Sequence, residues 1–339
     1  MTAQAPLLSV IVPAYNSEAY LDRALDTLVD YDGELEVLII DDGSTDRTPE
    51  MADEWAARHP GAVRAIHQEN KGHGGAVNAG IAAATGGHVR VVDSDDWVDR
   101  SAMRKVLDLL RDERAAGREL DLLVTNYVYE KQGKTHKATV RYRNVLPEGR
   151  TIGWEDVRPC RYDQYILMHS LTMRTDLVRE SGLHLPEHTF YVDYIYSHAP
   201  LPWVRTLRYL DVDLYRYFIE RDDQSVNEPV MISRLDQLMR VNAVMVDSMP
   251  DRDAVPENLY RYMIHYLRIN FVVCTIMAIL SGTAEHLAMK DRMWADLEAK
   301  DPTAARAVED DLLGRLIRRR SDRFLKAGYR IARTILGFN

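Results

Sequence analysis

Cysteine is nearly missing. The 339 residues contain two, Cys160 and Cys274, too far apart for a metal-ligand or redox spacing, so a reducing compartment is expected and a disulfide scaffold is excluded. Basic charge is also in deficit: a formal net charge of -9 excludes general nucleic-acid binding, which needs a basic footprint. Long apolar runs are lacking, since the longest, residues 271–280, is about half a membrane span. The opening M-T-A-Q-A-P has no basic n-region, so no secretory leader is expected. These gaps predict a cytoplasmic protein, and a hydrophobic content of 46% with 28% charged residues gives it a full core.

What is present is ordered. Residues 8–12 (L-S-V-I-V) read as a strand, followed by a turn through Pro13, Ala14, Tyr15, Asn16 and Ser17. Tyr20, Leu21, Ala24, Leu25 and Leu28 then recur at helical spacing. A second strand at 35–40 ends in Asp41-Asp42-Gly43-Ser44, and Pro49, with Thr48 as cap, opens the next helix. A third strand at 62–67 leads to the glycine turn N-K-G-H-G-G and a helix of small residues at 76–84. The fourth stretch, 89–98, reads V-R-V-V-D-S-D-D-W-V. This alternation predicts an α/β fold, a mainly parallel twisted sheet with helices on both faces. Further strands are expected at 120–129, 164–173 and 207–218, with a hairpin in 131–143. Beyond 230 the periodicity is helical, with one helix from Met231 to Met245 and a longer one at 259–280. The expected domains are therefore 1–228 and a mainly helical 229–339.

The chemistry-bearing stretch is the fourth. Asp93, Asp95 and Asp96 stand within four residues, and acids that close repel one another. A divalent Mg²⁺ or Mn²⁺ on hard oxygen ligands, shared with a substrate phosphate, offsets that repulsion. Open α/β sheets bind ligands just beyond the carboxyl ends of their strands, which is where these acids fall. The alternative is a solvated turn in which Asp96 or Asp99 caps the helix starting near Ser101. The loop P-A-Y-N-S lacks both G-x-G-x-x-G and G-x-G-T-R-x-x-P, which argues against a dinucleotide dehydrogenase and a sugar-phosphate nucleotidyltransferase.

Four elements together, S-V-I-V-P-A-Y-N at 9–16, I-I-D-D-G-S-T-D at 39–46, N-K-G-H-G-G-A-V-N-A-G at 70–80 and V-V-D-S-D-D-W at 91–97, resemble the family 2 glycosyltransferases of GT-A fold. The resemblance covers residues 7–225 and implies a nucleotide-sugar donor, usually UDP-linked, a divalent metal and inversion at the anomeric carbon. It implies donor contacts from Pro13, Ala14, Tyr15, Asn16, Asp42, Lys71, Asn78, Asp93, Ser94 and Asp95, with Asp42 accepting from the uracil N3–H. Asp95 and Asp96 would hold the metal, although D-S-D-D also offers Asp93 with Asp95. Arg221, Gln224 and Ser225 match a loop that closes over the diphosphate. The family's base follows an aromatic-rich loop, matched here by T-F-Y-V-D-Y-I-Y and hence by Asp193, where relatives carry Glu-Asp in place of Val192-Asp193. Asp176 and Glu187 are competitors for that role, and His169 and Arg174 could face an acceptor or serve the core. The Q/R-x-x-R-W signature of processive synthases is absent, so transfer of a single sugar to a polysaccharide or lipid-linked acceptor is expected. A non-catalytic partner subunit of the same fold is the alternative.

The last segment, 312–338, reverses the charge of the whole, with Arg315, Arg318, Arg319, Arg320, Arg323, Lys326, Arg330 and Arg333 against Asp322 alone. A basic amphipathic helix of this kind either lies peripherally on the cytosolic, anionic face of a membrane or packs its apolar face on a neighbouring helix. The helix at 259–280 is a candidate dimer surface.

Overall fold

The structure is a computed structural model and describes residues 5–131, 137–162, 164–219, 227–310, 312–319, 324–326 and 329. It divides into two compact units, one of residues 1–158 and 166–220, the other of 159–165 and 221–339.

The first unit is built on ten strands: β1 Leu8–Ala14, β2 Leu35–Asp41, β3 Val63–His67, β4 His88–Val91, β5 Trp97–Val98, β6 Leu122–Lys131, β7 Ala138–Val140, β8 Thr151–Ile152, β9 Leu171–Arg174 and β10 Leu207–Ile219. Their order is β3-β2-β1-β4-β9-β6-β10-β5, with β7 on β6 and β8 on β10. β3, β2, β1 and β4 run parallel, and every residue of β1 and β2 is buried, as in a sheet covered on both faces. β9 then enters antiparallel to both β4 and β6, while β10 runs parallel to β6. The sheet is thus mixed in its second half. Six helices accompany it: α1 Leu21–Asp26, α2 Thr48–Arg58, α3 Gly72–Ala83, α4 Arg100–Ala115, α5 Thr175–Glu180 and α6 Asp193–His198.

Several local expectations need correction. Residues 164–170 are not strand: only 171–174 pair, after a short turn of 3₁₀ helix at Met168–Ser170. Thr48 is the first residue of α2 rather than its cap, and its hydroxyl instead accepts from the Ser17 N–H at 2.7 Å. The N-K-G-H-G-G run is no free turn, because α3 begins inside it at Gly72. There φ is +75°, and a Cβ would stand 2.9 Å from the His188 nitrogen. Asp99, not Asp96, caps α4, accepting from the Ala102 N–H at 2.9 Å. Of the expected hairpin, β7 pairs antiparallel with β6, and residues 132–136 lie outside the described residues.

The second unit is helical: α7 Glu228–Ser233, α8 Leu235–Asp247, α9 Glu257–Ser281, α10 Ala284–Lys300, α11 Pro302–Glu309 and α12 Leu312–Arg319. Gly282, left-handed at φ +70°, ends α9. By length and composition α9 could cross a membrane, more than its longest unbroken apolar run suggests, but 61% of its most apolar window is buried inside the protein. Phe271, Cys274 and Ala278 are among its buried residues, and the Phe271 ring meets Trp294 of α10 edge-on at 4.9 Å.

Candidate active site

The parallel strands end together, and their turns are stitched to one another. Asn16, held left-handed at φ +48°, donates its N–H to Ser44 Oγ (3.0 Å) and accepts from the Thr45 N–H at Oδ1 (2.9 Å). Asp42 is buried beside this stitch, and its Oδ1 accepts from Gln68 Nε2 (2.7 Å) and the Lys71 N–H (2.8 Å). Its Oδ2 has no hydrogen bond among the described residues, which leaves one acceptor for a ligand N–H. Pro13 and Ala14 are buried in β1, whereas Tyr15 is 53% exposed. Lys71 pairs with Glu187 at 3.3 Å on the surface. Asn78 is committed elsewhere: its amide clasps the Leu185 backbone at both ends, donating to the carbonyl (2.8 Å) and accepting from the N–H (3.0 Å).

The acids beyond β4 are held by groups distant in sequence. Tyr215 of β10 donates its hydroxyl to Asp96 Oδ2 at 2.6 Å and accepts from the Asp93 N–H at 3.2 Å. The Phe218 N–H donates to Asp96 Oδ1 at 2.7 Å. Burial, with repulsion from Asp95 and Asp93 adding to it, pushes the Asp96 carboxyl well above the ordinary range. Burial also opposes the Asp93 charge, yet His73, at 2.9 Å, outweighs it and holds that carboxyl low. The Ser94 hydroxyl shares a 2.7 Å hydrogen bond with that of Ser17. The Asp95 carbonyl accepts from Arg23, whose guanidinium lies 4.0 Å from the Trp97 ring centre.

His169 belongs to this cluster. Its ring stacks on Tyr215 at 4.5 Å, and its Nδ1 is buried with no hydrogen-bond partner among the described residues. Burial, reinforced by the Arg90 charge and opposed by Asp93, brings its pKa down to about 4, so it is neutral near pH 7. Asp93, Asp96 and His169 each offer a ligand atom within 4.8 Å of the others. Two hard carboxylates and an imidazole with an orphaned nitrogen fit a divalent cation. Asp95, expected beside Asp96 as a metal ligand, is half-buried and is not one of these three. Arg174, by contrast, is taken by Asp121 at 2.9 Å.

Asp193 opens α6. Burial raises its carboxyl to about 6, against the pull of the His73 charge and with Asp93 repelling it. Asp176 lies in the first turn of α5 and Glu187 on the surface. Arg221, Gln224 and Ser225 fall outside the described residues. Sequence reasoning missed His73 and Tyr215. The first lies within a quoted motif, while the second had no signal beyond a tyrosine-rich strand.

Residues 9–156 match the sequence profile of Glycosyl transferase family 2. That stretch of the chain belongs to the family. The fold of the first unit is of GT-A type. EpsH of Bacillus subtilis (strain 168), a glycosyltransferase by name assignment, is 31% identical over 231 residues, which are 64% of this chain and 62% of EpsH. The chain therefore spans less than two thirds of that relative. Among solved structures, Staphylococcus aureus TarS 1–349 in complex with UDP-GlcNAc superposes with a TM-score of 0.67 at 18% identity, over 96% of this chain and 92% of that one. The mannosyltransferase PcManGT from Pyrobaculum calidifontis, in complex with GDP-Man and Mn²⁺, gives 0.52 at 17% identity over 93% and 87%. At these identities the structural likeness concerns the fold.

Proposed function

We propose that the protein is an inverting glycosyltransferase, moving a single sugar from a UDP-linked donor to a hydroxyl of a polysaccharide or lipid-linked acceptor in cell-surface glycan biosynthesis. The observation that carries this is His73. Its ring is hydrogen-bonded to Asp93, and the charges of Asp93, Asp193 and Asp95 all act on it, so acid cluster and candidate base stand around one imidazole. UDP is favoured because Asp42 keeps one acceptor oxygen for a base N–H, and because a fold neighbour holds UDP-GlcNAc.

In this reading Tyr15 and Asp42 receive the base, and Asn16 and Lys71 line the path to the diphosphate. Asp193 takes the proton of the acceptor hydroxyl as its oxygen attacks C1. The bond from C1 to the diphosphate oxygen breaks on the opposite face, inverting the centre. Mn²⁺ or Mg²⁺, when bound, supplies neutralisation of the leaving diphosphate; Asp93, Asp95, Asp96 and His169 are the groups that would hold it. A non-catalytic partner would be expected to lock Asp193 in an ion pair, whereas the groups acting on its carboxylate are His73, Asp93 and nearby backbone N–H groups. The protein would work in the cytoplasm, peripherally at the cytosolic membrane face.

Calorimetric titration with UDP-, GDP- and dTDP-sugars in Mn²⁺ or Mg²⁺, followed by a transfer assay, tests the reading. Tight binding of one donor and its turnover support it. Binding of no nucleotide at millimolar concentration overturns it.

A further inference from the structure

Arg90 is out of character with the core around it. It stands on β4, three residues before Asp93, and is among the largest side chains that are fully buried. Its guanidinium donates only to neutral oxygens: Nε to Thr172 Oγ1 at 2.9 Å, Nη1 to the His169 carbonyl at 2.6 Å, and Nη2 to Thr125 Oγ1 at 2.9 Å and to the Ser170 carbonyl at 3.3 Å. No carboxylate accepts from it among the described residues. Burying a cation without a counter-ion is costly, and an apolar side chain would fill the space better. The sheet shows what the fork replaces. β9 lies between β4 and β6, and the β4–β9 ladder pairs His88 with Arg174 and Val89 with Met173, then stops. From there β4 runs on toward Asp93, while the chain ahead of β9 leads back to His169, with no ladder between them. Arg90, rooted in β4, bridges that opening to hydroxyls on β9 and β6 and to two carbonyls of the Met168–Ser170 turn.

Resting on the glycosyltransferase reading, we propose that Arg90 is a positioning residue for the divalent cation, holding the turn that carries His169 so that an imidazole joins Asp93 and Asp96 as a ligand. The three side chains offer ligand atoms within 4.8 Å of one another, yet His169 reaches the acids from a different part of the chain. Something has to fix that turn relative to β4. A planar guanidinium bonded at four points does so more rigidly than the single ammonium of a lysine. Being fully buried, Arg90 acts through His169 and not by contact with a substrate. Its effect therefore falls on what the cation adds to donor binding, and leaves the nucleotide's own contacts at Tyr15 and Asp42 alone.

Calorimetry with UDP, in the presence and absence of Mn²⁺, reads the cation without turnover, and electron spin-echo modulation shows whether nitrogen ligates the bound Mn²⁺. The parent complex should show nitrogen modulation, and His169→Ala should remove it. Arg90→Met should cut the Mn²⁺ enhancement of UDP affinity about tenfold and weaken the modulation, at unchanged metal-free UDP affinity. Arg90→Lys should recover part of that loss. His169→Ala should cut the enhancement by a similar factor, and the double variant by no more than either alone, because one residue acts through the other. Should Arg90→Met fail to fold, Thr125→Val combined with Thr172→Val keeps the arginine but loosens its fork, and should cut the enhancement about threefold. Additive losses, or an enhancement at the parent level in variants that only melt lower, overturn the proposal, as does a parent complex without nitrogen modulation. Each of these outcomes leaves UDP binding in place, so the proposal can fail while the donor reading stands.

Discussion

Asp193 accepts a proton only when ionised, and burial raises its pKa to about 6. Transfer should therefore climb as pH rises through about 6 and level off above about 7, as read from kcat/KM against pH. Asp193→Asn should lower kcat by about 10²–10⁴ and leave UDP affinity intact. The same shift has a stability consequence of opposite sign. An acid whose folded-state pKa is raised costs stability once ionised, so Asp193→Asn should melt higher than the parent above pH about 6, the gap closing toward pH about 4. Tyr215 gives a second residue-scale case. Its one hydroxyl proton goes to Asp96, the nearer acid at 2.6 Å, with Asp93 at 3.4 Å. Tyr215→Phe leaves a buried carboxylate short of a donor and should cost about 1–3 kcal/mol in urea unfolding. Neither His73 nor Tyr215 was legible as a partner of Asp93, because both bonds join elements far apart in the chain. The acids themselves were legible, since they sit together in one turn.

Among the elements, the Asn78 clasp links α3 to the loop that ends at Asp193. Asn78→Ala removes both hydrogen bonds to the Leu185 backbone, which should cost about 1–3 kcal/mol in chemical denaturation. Because the clasp holds the base's loop, kcat should fall while the donor dissociation constant stays within about twofold, a split that separates it from a direct ligand of the nucleotide. The elements themselves were largely readable where one rule dominated. β1 and β2 are apolar runs bounded by turn residues, and α4 carries an Asp cap ahead of Met103, Val106 and Leu107, all buried. Reading failed where side-chain pattern and tertiary contact disagree. Glycine in 72–75 signals a loop, yet α3 starts at a left-handed Gly72 and runs on through Gly74 and Gly75. At Gly74 a Cβ would meet the Pro186 carbonyl at 2.6 Å, so close approach, not flexibility, explains that residue. Residues 164–170 alternate like a strand, but the residues from Met168 to Ser170 form a turn whose carbonyls feed Arg90, at 2.6 Å from His169 and 3.3 Å from Ser170. A buried arginine bonded to neutral oxygens leaves no trace in a periodicity count.

At the scale of the whole molecule, the second unit takes in residues 159–165, well before its main body begins. The Tyr165 and Tyr266 ring centres are 5.1 Å apart, and His265 Nε2 lies 2.9 Å from the Gln164 carbonyl. A fragment of residues 1–219 would carry this segment without its packing surface. It should aggregate by size-exclusion chromatography where the full chain does not, and Tyr165→Ser in the fragment should reduce the aggregation.

The basic tail is the remaining whole-molecule question, and its apolar face decides the form of any membrane contact. Ile317 and Leu325 are buried, the Lys326 ammonium donates to the Leu280 carbonyl at 3.0 Å, and Arg318 lies 5.3 Å from the Trp294 ring centre. In the described part of the tail Ile317 and Leu325 thus pack on the helical unit, while Phe324 is 53% exposed and Arg315 and Arg318 stay exposed. Insertion of an apolar face into lipid would require undoing that packing, whereas attraction of arginines to anionic headgroups would not. Sedimentation with phosphatidylserine vesicles should accordingly be strong at about 0.05 M salt and lost near about 0.5 M, where the screening length falls to a few ångströms. Deleting residues 312–339 should abolish it at any salt and, by uncovering apolar surface, lower the melting temperature. Sedimentation that survives high salt would mean that the helix leaves the protein and enters the bilayer.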